Sequence, residues 1–163
     1  KYILRHDPDI IIIGEVRDKE TAEMVVKTAL TGHLVLATIH TNDTLSTIFR
    51  LIDMGIPKYL ILNSVIGVIS QRLIRKICTE CMGESCLNCT DGYKSRMNIN
   101  EILVFDEEIS EIFRKTESII KIKEKLKEKG FINLLDDAHE KERVGFTNKA
   151  EIYRVLGEYW WQN

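Results

Sequence analysis

Three groups of residues in this chain have types and spacings that could do chemistry. The first is Asp9-Ile10-Ile11-Ile12-Ile13-Gly14-Glu15-Val16-Arg17-Asp18. Four isoleucines ending at a glycine read as a strand buried on both faces. Glu15 falls just past its end, where strands of a parallel sheet open onto a ligand crevice. A carboxylate there can face a nucleotide's Mg²⁺ and orient the attacking water of phosphoryl transfer, as Walker B segments do. It could equally do no more than cap the next helix. The second group is Thr31-Gly32-His33-Leu34-Val35-Leu36-Ala37-Thr38-Ile39-His40-Thr41-Asn42-Asp43. His40 ends a second strand beside the hydroxyl of Thr41 and the amide of Asn42. If the strands are parallel neighbours, Glu15 and His40 share one edge of the sheet. An imidazole N–H there can bind a γ-phosphate, or it can be an ordinary hydrogen-bonded histidine at a helix start. His33 sits at the other end of the strand and reads as structural.

The third group is Cys78-Thr79-Glu80-Cys81 and Cys86-Leu87-Asn88-Cys89, two C-x-x-C knuckles separated by four residues. Each can turn two thiolates towards one centre, and four thiolates suit a closed tetrahedral Zn²⁺ site. Paired disulfides fit poorly with a sequence that shows no secretion signal. A thioredoxin-like redox pair needs no second knuckle so close.

The elements that must position these residues follow from periodicity and punctuation. Asp18 predicts a helix cap, Ala22, Val25, Val26 and Ala29 a helix, and Thr31-Gly32 its stop. Leu34 to Ile39 predicts the second strand. Strand, helix and strand over about 30 residues make a βαβ unit with a right-handed crossover. Helices are expected over Asp43 to Met54 and Pro57 to Ser70, then a strand over Gln71 to Ile77. Met97 to Phe105 reads as an edge strand, Asp106 as the opening of a helix, and Lys121 to Lys129 as a helix with a solvated lysine face. Asn148 with Glu151 spells a capping box for a last helix. Three stretches result: 1–77 as an α/β core, 78–96 as the knuckle, and 97–163 as an edge strand and helical tail.

The chain has 163 residues, with 23 Lys+Arg against 25 Asp+Glu, a net charge of −2. That balance argues against a general nucleic-acid binder. With 44% hydrophobic residues, 9 Gly and 2 Pro, collagen and low-complexity disorder are excluded. No apolar stretch reaches the roughly 18 residues of a membrane span, so no membrane insertion is expected. The run from Tyr59 to Ile69 reads as a buried or subunit-packing helix. The opening Lys1-Tyr2-Ile3-Leu4-Arg5 reads as the interior of a longer chain. Tyr159-Trp160-Trp161 is either a partner surface or a packed chain end.

Leu4-Arg5-His6-Asp7-Pro8-Asp9 running into Gly14-Glu15-Val16-Arg17-Asp18 resembles the Walker B region of the type II secretion and type IV pilus assembly ATPases. Thr31 to Asp43 resembles their His box. Arg50-Leu51-Ile52-Asp53-Met54-Gly55, Gln71-Arg72-Leu73, the four cysteines, Gly92-Tyr93 and Glu101 continue the likeness. The resemblance implies the C-terminal half of a RecA-like P-loop ATPase domain, with a tetracysteine zinc knuckle and a small helical subdomain. It implies a homo-hexamer at the cytoplasmic face of the inner membrane, working on a platform protein and hydrolysing ATP to drive pilin or pseudopilin assembly. Glu15 would be the catalytic carboxylate and His40 the γ-phosphate contact. Arg17 and Arg72 would stabilise charge or contact a neighbouring subunit, unless they salt-bridge within the sheet edge. Gly14 stands where a conventional Walker B has its metal-binding Asp, so Mg²⁺ is expected to meet Glu15 through water.

Two departures stand out. The family usually places a longer insertion than Met82-Gly83-Glu84-Ser85 between its cysteine pairs, and Ser95 replaces a Gly expected before Arg96. No Gly-x-x-x-x-Gly-Lys-[Ser/Thr] loop occurs in the chain, so the phosphate cradle is expected upstream and the chain alone is expected to be inactive. Two rivals remain: a non-catalytic, zinc-stabilised interaction module with a vestigial nucleotide site, and a pilus retraction motor, a class that typically lacks the cysteines.

Overall fold

The computed structural model describes residues 8–157. They form four strands and seven helices: β1 (Ile10–Ile13), α1 (Lys19–Leu30), β2 (Leu34–Ala37), α2 (Thr44–Asp53), α3 (Lys58–Ser64), β3 (Gly67–Ile77), β4 (Tyr93–Val104), α4 (Glu107–Lys115), α5 (Ile119–Glu128), α6 (Leu134–Arg143) and α7 (Lys149–Leu156). The chain divides into two compact units. One combines residues 1–68 with 103–129, the other residues 69–102 with 130–163.

The first unit opens with the expected βαβ. β1 and β2 pair in parallel, Ile10 opposite Leu34 and Ile13 opposite Ala37. β-branched residues favour this pleated conformation. Asp18 accepts a hydrogen bond from the Thr21 amide at 2.8 Å, and that cap fixes where α1 starts. Gly32, at φ +98°, turns the chain out of α1 and back into β2. α1 packs on β2 and α3. The core of this unit is apolar and includes Ala22, Val26, Ile48, Ile61, Phe113, Ile122 and Leu126.

The expectation of a strand buried on both faces is corrected. Ile11 is buried, but Ile10 and Ile12 are 57% and 75% exposed, as are much of Leu34 and Leu36 opposite them. Alternate side chains of a strand face opposite sides, and within the described residues only one side is covered.

The single helix over Pro57 to Ser70 is also corrected. α3 ends at Ser64, Val65 is extended, and β3 begins at Gly67. The β-branched Val65, Ile66, Val68 and Ile69 favour a strand once a partner strand is available. That partner is β4, longer than the expected edge strand. Bonds from the Phe105 amide to the Ile66 carbonyl (3.0 Å) and from the Cys78 amide to the Gly92 carbonyl (2.8 Å) make the pair an antiparallel ribbon. The ribbon is a sheet of its own, separate from the β1–β2 pair.

In the second unit Ile74 and Ile99 of the ribbon pack with Leu134, Ala138, Ile152 and Leu156. α6 falls within the expected helical tail, and its start is set locally: Asn133 and Asp136 form a reciprocal capping box. The box expected at Asn148 forms only by half. Asn148 accepts from the Glu151 amide at 3.0 Å, but the Glu151 carboxylate turns inward. It takes the Arg75 amide at 2.7 Å and both the Arg75 and Arg154 guanidinium groups. Glu101, also buried, accepts from the Leu134 amide at 3.1 Å and so holds the start of α6 to β4.

Candidate functional site: a carboxylate and an imidazole at one strand edge, and a tetracysteine cluster

The parallel register carries Glu15 and His40 out of β1 and β2 on the same edge. Beyond the strands the backbones stay joined, because the Val16 amide donates to the Thr38 carbonyl at 2.8 Å. The Thr38 hydroxyl donates to the Gly14 carbonyl as well. Two bonds therefore bracket Glu15 from the His40 side. Val16 is buried and anchors the turn, so Glu15 and Arg17, two apart, leave on one face. On the His40 side, Thr41 Oγ1 lies 2.7 Å from Thr47 Oγ1 and Asp43 caps α2 through the Ser46 amide at 2.6 Å.

The side chains converge. His40 Nε2 lies 2.9 Å from Glu15 Oε1, and Arg17 Nε donates to Glu15 Oε2 at 2.5 Å. The Arg17 hydrogen bond holds the Glu15 carboxyl below its ordinary value, partial burial opposes it, and the Arg17 and His40 charges help. Glu15 is therefore ionised at neutral pH. Arg17 and His40 are 77% and 88% exposed at their side chains while Glu15 is 20% exposed. The pattern is one recessed anion flanked by two solvent-facing nitrogen donors. Arg17 makes the salt bridge that one of its two expected roles calls for.

Arg72 stands on β3 in the second unit, its Nη1 donating to the Gln71 carbonyl at 2.9 Å. His33 Nδ1 sits 3.2 Å from the Thr28 carbonyl and from Thr31 Oγ1, closing the α1–β2 turn, a structural role. His139 pairs with Glu142 at 3.0 Å. His6 and Tyr159-Trp160-Trp161 lie outside the described residues. Sequence reasoning missed Thr38. Its signal was a hydroxyl at the end of the otherwise apolar Leu34-Val35-Leu36-Ala37.

At the far end of the ribbon, the Sγ atoms of Cys78, Cys81, Cys86 and Cys89 all lie within 4.8 Å of one another. No disulfide joins them. The Cys86 amide points at Cys89 Sγ (3.2 Å), the local geometry of a knuckle. The Asn88 amide favours the Cys86 thiolate, but burial and the three neighbouring sulfurs outweigh it and push the thiol up to about 12. Four soft sulfur donors converging on one point suit one structural metal ion. Gly92 makes the cluster possible. It sits at φ +81°, and a Cβ there would lie 2.2 Å from the Gly83 carbonyl oxygen. The two flanks of the cluster meet backbone to backbone.

No helix among the described residues is long and apolar enough to cross a membrane. Residues 1–154 match the family described as type II/IV secretion system protein. The type II secretion system protein HxcR of Pseudomonas aeruginosa is 42% identical over 164 residues, covering 95% of this chain and 35% of that protein. The type IV pilus assembly ATPase PilB of Thermus thermophilus is 39% identical over 180 residues, covering 93% of this chain and 20% of that one. The chain thus spans about a third or less of these relatives' length. Among solved structures, the Legionella pneumophila ATPase DotB superposes with a TM-score of 0.73 at 27% identity, over 92% of this chain and 39% of that one. The pilus retraction motor PilT with bound ADP gives 0.72 at 28%, over 92% and 40%. The α/β architecture with its parallel strand pair is the one these ATPases share. The chain belongs to the type II/IV secretion system protein family.

Proposed function

We propose that the chain supplies the water-orienting carboxylate and a phosphate-sensing imidazole of an ATP-hydrolysing motor that drives pilin or pseudopilin assembly. The observation that carries this reading is the 2.9 Å approach of His40 Nε2 to Glu15 Oε1 at the ends of neighbouring parallel strands. An acid and an N–H donor set side by side at a strand edge fit the needs of phosphoryl transfer, where positioning and electrostatics do most of the work. Glu15, held ionised, accepts a proton-bearing water. His40 and Arg17, both solvent-facing at the far side of their bonds to Glu15, would turn their donors from it towards a phosphate anion. Mg²⁺ would neutralise charge on the phosphates, and Glu15, the acid beside Gly14, would reach it through water. Arg72 is assigned to charge stabilisation or to a neighbouring subunit.

The relatives' names, a secretion protein and a pilus assembly ATPase, support the wider setting. In it the chain works as a homo-hexamer at the cytoplasmic face of the inner membrane, against a membrane platform protein. The tetracysteine cluster takes Zn²⁺ as a structural cross-link. Residues 1–77, 78–96 and 97–163 are the motor core, the knuckle and the tail of this reading.

The test is Mg²⁺-dependent phosphate release by the complete gene product. Glu15→Gln should lower turnover by roughly 10²–10⁴-fold, the range for a positioned acid–base group, with nucleotide binding retained. The 163-residue chain alone, lacking the Gly-Lys-[Ser/Thr] loop, should release none. Full turnover by Glu15→Gln would favour the non-catalytic module. Turnover by the chain alone would refute the division of labour.

A further inference from the structure

We infer that Glu80 is a positioning residue for the metal, a clasp that holds the two cysteine knuckles in register. The inference rests on the reading that the four cysteines bind one ion. Glu80 lies inside the first knuckle. Its Oε2 accepts from Asn88 Nδ2, inside the second knuckle, at 2.8 Å. Its Oε1 accepts from Lys94 Nζ, on β4, at 2.6 Å. One carboxylate thereby ties together the three segments that must agree in position for four sulfurs to meet.

The short link makes such a tie necessary. Only Met82 to Ser85 join the knuckles, and Met82 (φ +52°), Gly83 (φ +96°) and Ser85 (φ +85°) are left-handed. Side-chain-bearing residues adopt that conformation at a cost, so the link left to itself favours opening. The clasp opposes that opening. It also fixes a charge. Four thiolates around a divalent ion leave a surplus of two negative charges, and the bond to Glu80 holds the Lys94 ammonium against the first knuckle. Glu80 and Lys94 are 46% and 50% exposed at their side chains, so their pair adds little to fold stability. Its effect belongs to ligand placement. Outer-shell partners of metal ligands typically cost 10–100-fold when removed, and a partner that touches no sulfur belongs at the low end, roughly tenfold.

The experiment follows zinc loss from the zinc-loaded 163-residue chain to the chromogenic chelator pyridylazoresorcinol. Methyl NMR signals of Ile74 and Ile152 monitor the fold. Glu80→Gln and Lys94→Met should release zinc roughly tenfold faster with those signals unmoved. Glu80→Lys should do the same, and adding Lys94→Glu should restore most of the retention. One zinc per chain with equal release rates in all variants overturns the clasp and leaves the metal site standing. A wild-type chain that takes up no zinc overturns both. Faster release accompanied by loss of the Ile74 and Ile152 signals makes Glu80 a fold determinant and overturns its role as a clasp.

Discussion

Glu151 offers the sharpest quantitative test of how the second unit is held. Its carboxylate is fully buried, yet it is the anion of a five-bond network. It accepts the Arg75 amide at 2.7 Å, Arg75 Nε at 2.8 Å and Arg75 Nη2 at 2.7 Å, with Arg154 Nε at 2.7 Å and Nη2 at 2.6 Å. Burial pushes the carboxyl up, but the Arg154 and Arg75 bonds outweigh it and bring it from 4.5 down to about 2. A fall of that size corresponds to about 3 kcal/mol at 1.36 kcal/mol per unit. Because the folded value is the lower one, this stability is fully present above about 4.5 and is lost as pH falls through 4.5 towards 2. Glu151→Gln should destabilise the second unit by about 3 kcal/mol at pH 7, since it removes the charge and turns amide donors towards guanidinium donors. The gap from wild type should close by pH 2. Urea unfolding read from the Ile74 and Ile152 methyl signals measures it in the unit concerned. A variant within about 1 kcal/mol of wild type at pH 7, or a gap that persists unchanged at pH 2, would refute the reasoning.

Arg17→Gln removes the donor that most lowers the Glu15 carboxyl, so Glu15 should titrate at higher pH. A side-chain ¹³C titration of the chain reads this directly, and the acid limb of turnover in the complete protein should move up with it. Gly92→Ala should abolish zinc uptake, because the new Cβ would meet the Gly83 backbone. Metal analysis of the purified variant decides it. Thr38→Val should lower turnover of the complete protein with little change in nucleotide KM, and Thr38→Ser, which keeps the hydroxyl on the Gly14 carbonyl, should restore it.

What the sequence made legible was local or periodic. Asp18, Asp43 and Asp106 announced three helix starts, because a capping carboxylate acts within three residues of itself. The strand ends at Glu15 and His40 were readable because a βαβ crossover fixes strand direction. The four cysteines were readable from spacing alone. The failures were non-local. Gly67 to Ser70 became strand rather than helix because its partner, the end of β4, arrives more than thirty residues later. Glu151 looked like half of a capping box, and only the fold brings Arg75 to it from 76 positions away. The exposure of Ile10 and Ile12 could not be read from four isoleucines, since burial on both faces depends on what covers each side.

The division into two units has a consequence for synthesis. One unit needs residues 1–68 and 103–129, the other 69–102 and 130–163. As the polypeptide leaves the ribosome, neither can close when its first portion is out. The cysteine hairpin is the exception, since everything that joins its sulfurs lies between positions 78 and 94. A metal ion bound there could therefore be taken up before either unit is complete. Were such an ion withheld, the defect would fall on the nascent chain rather than on the finished protein.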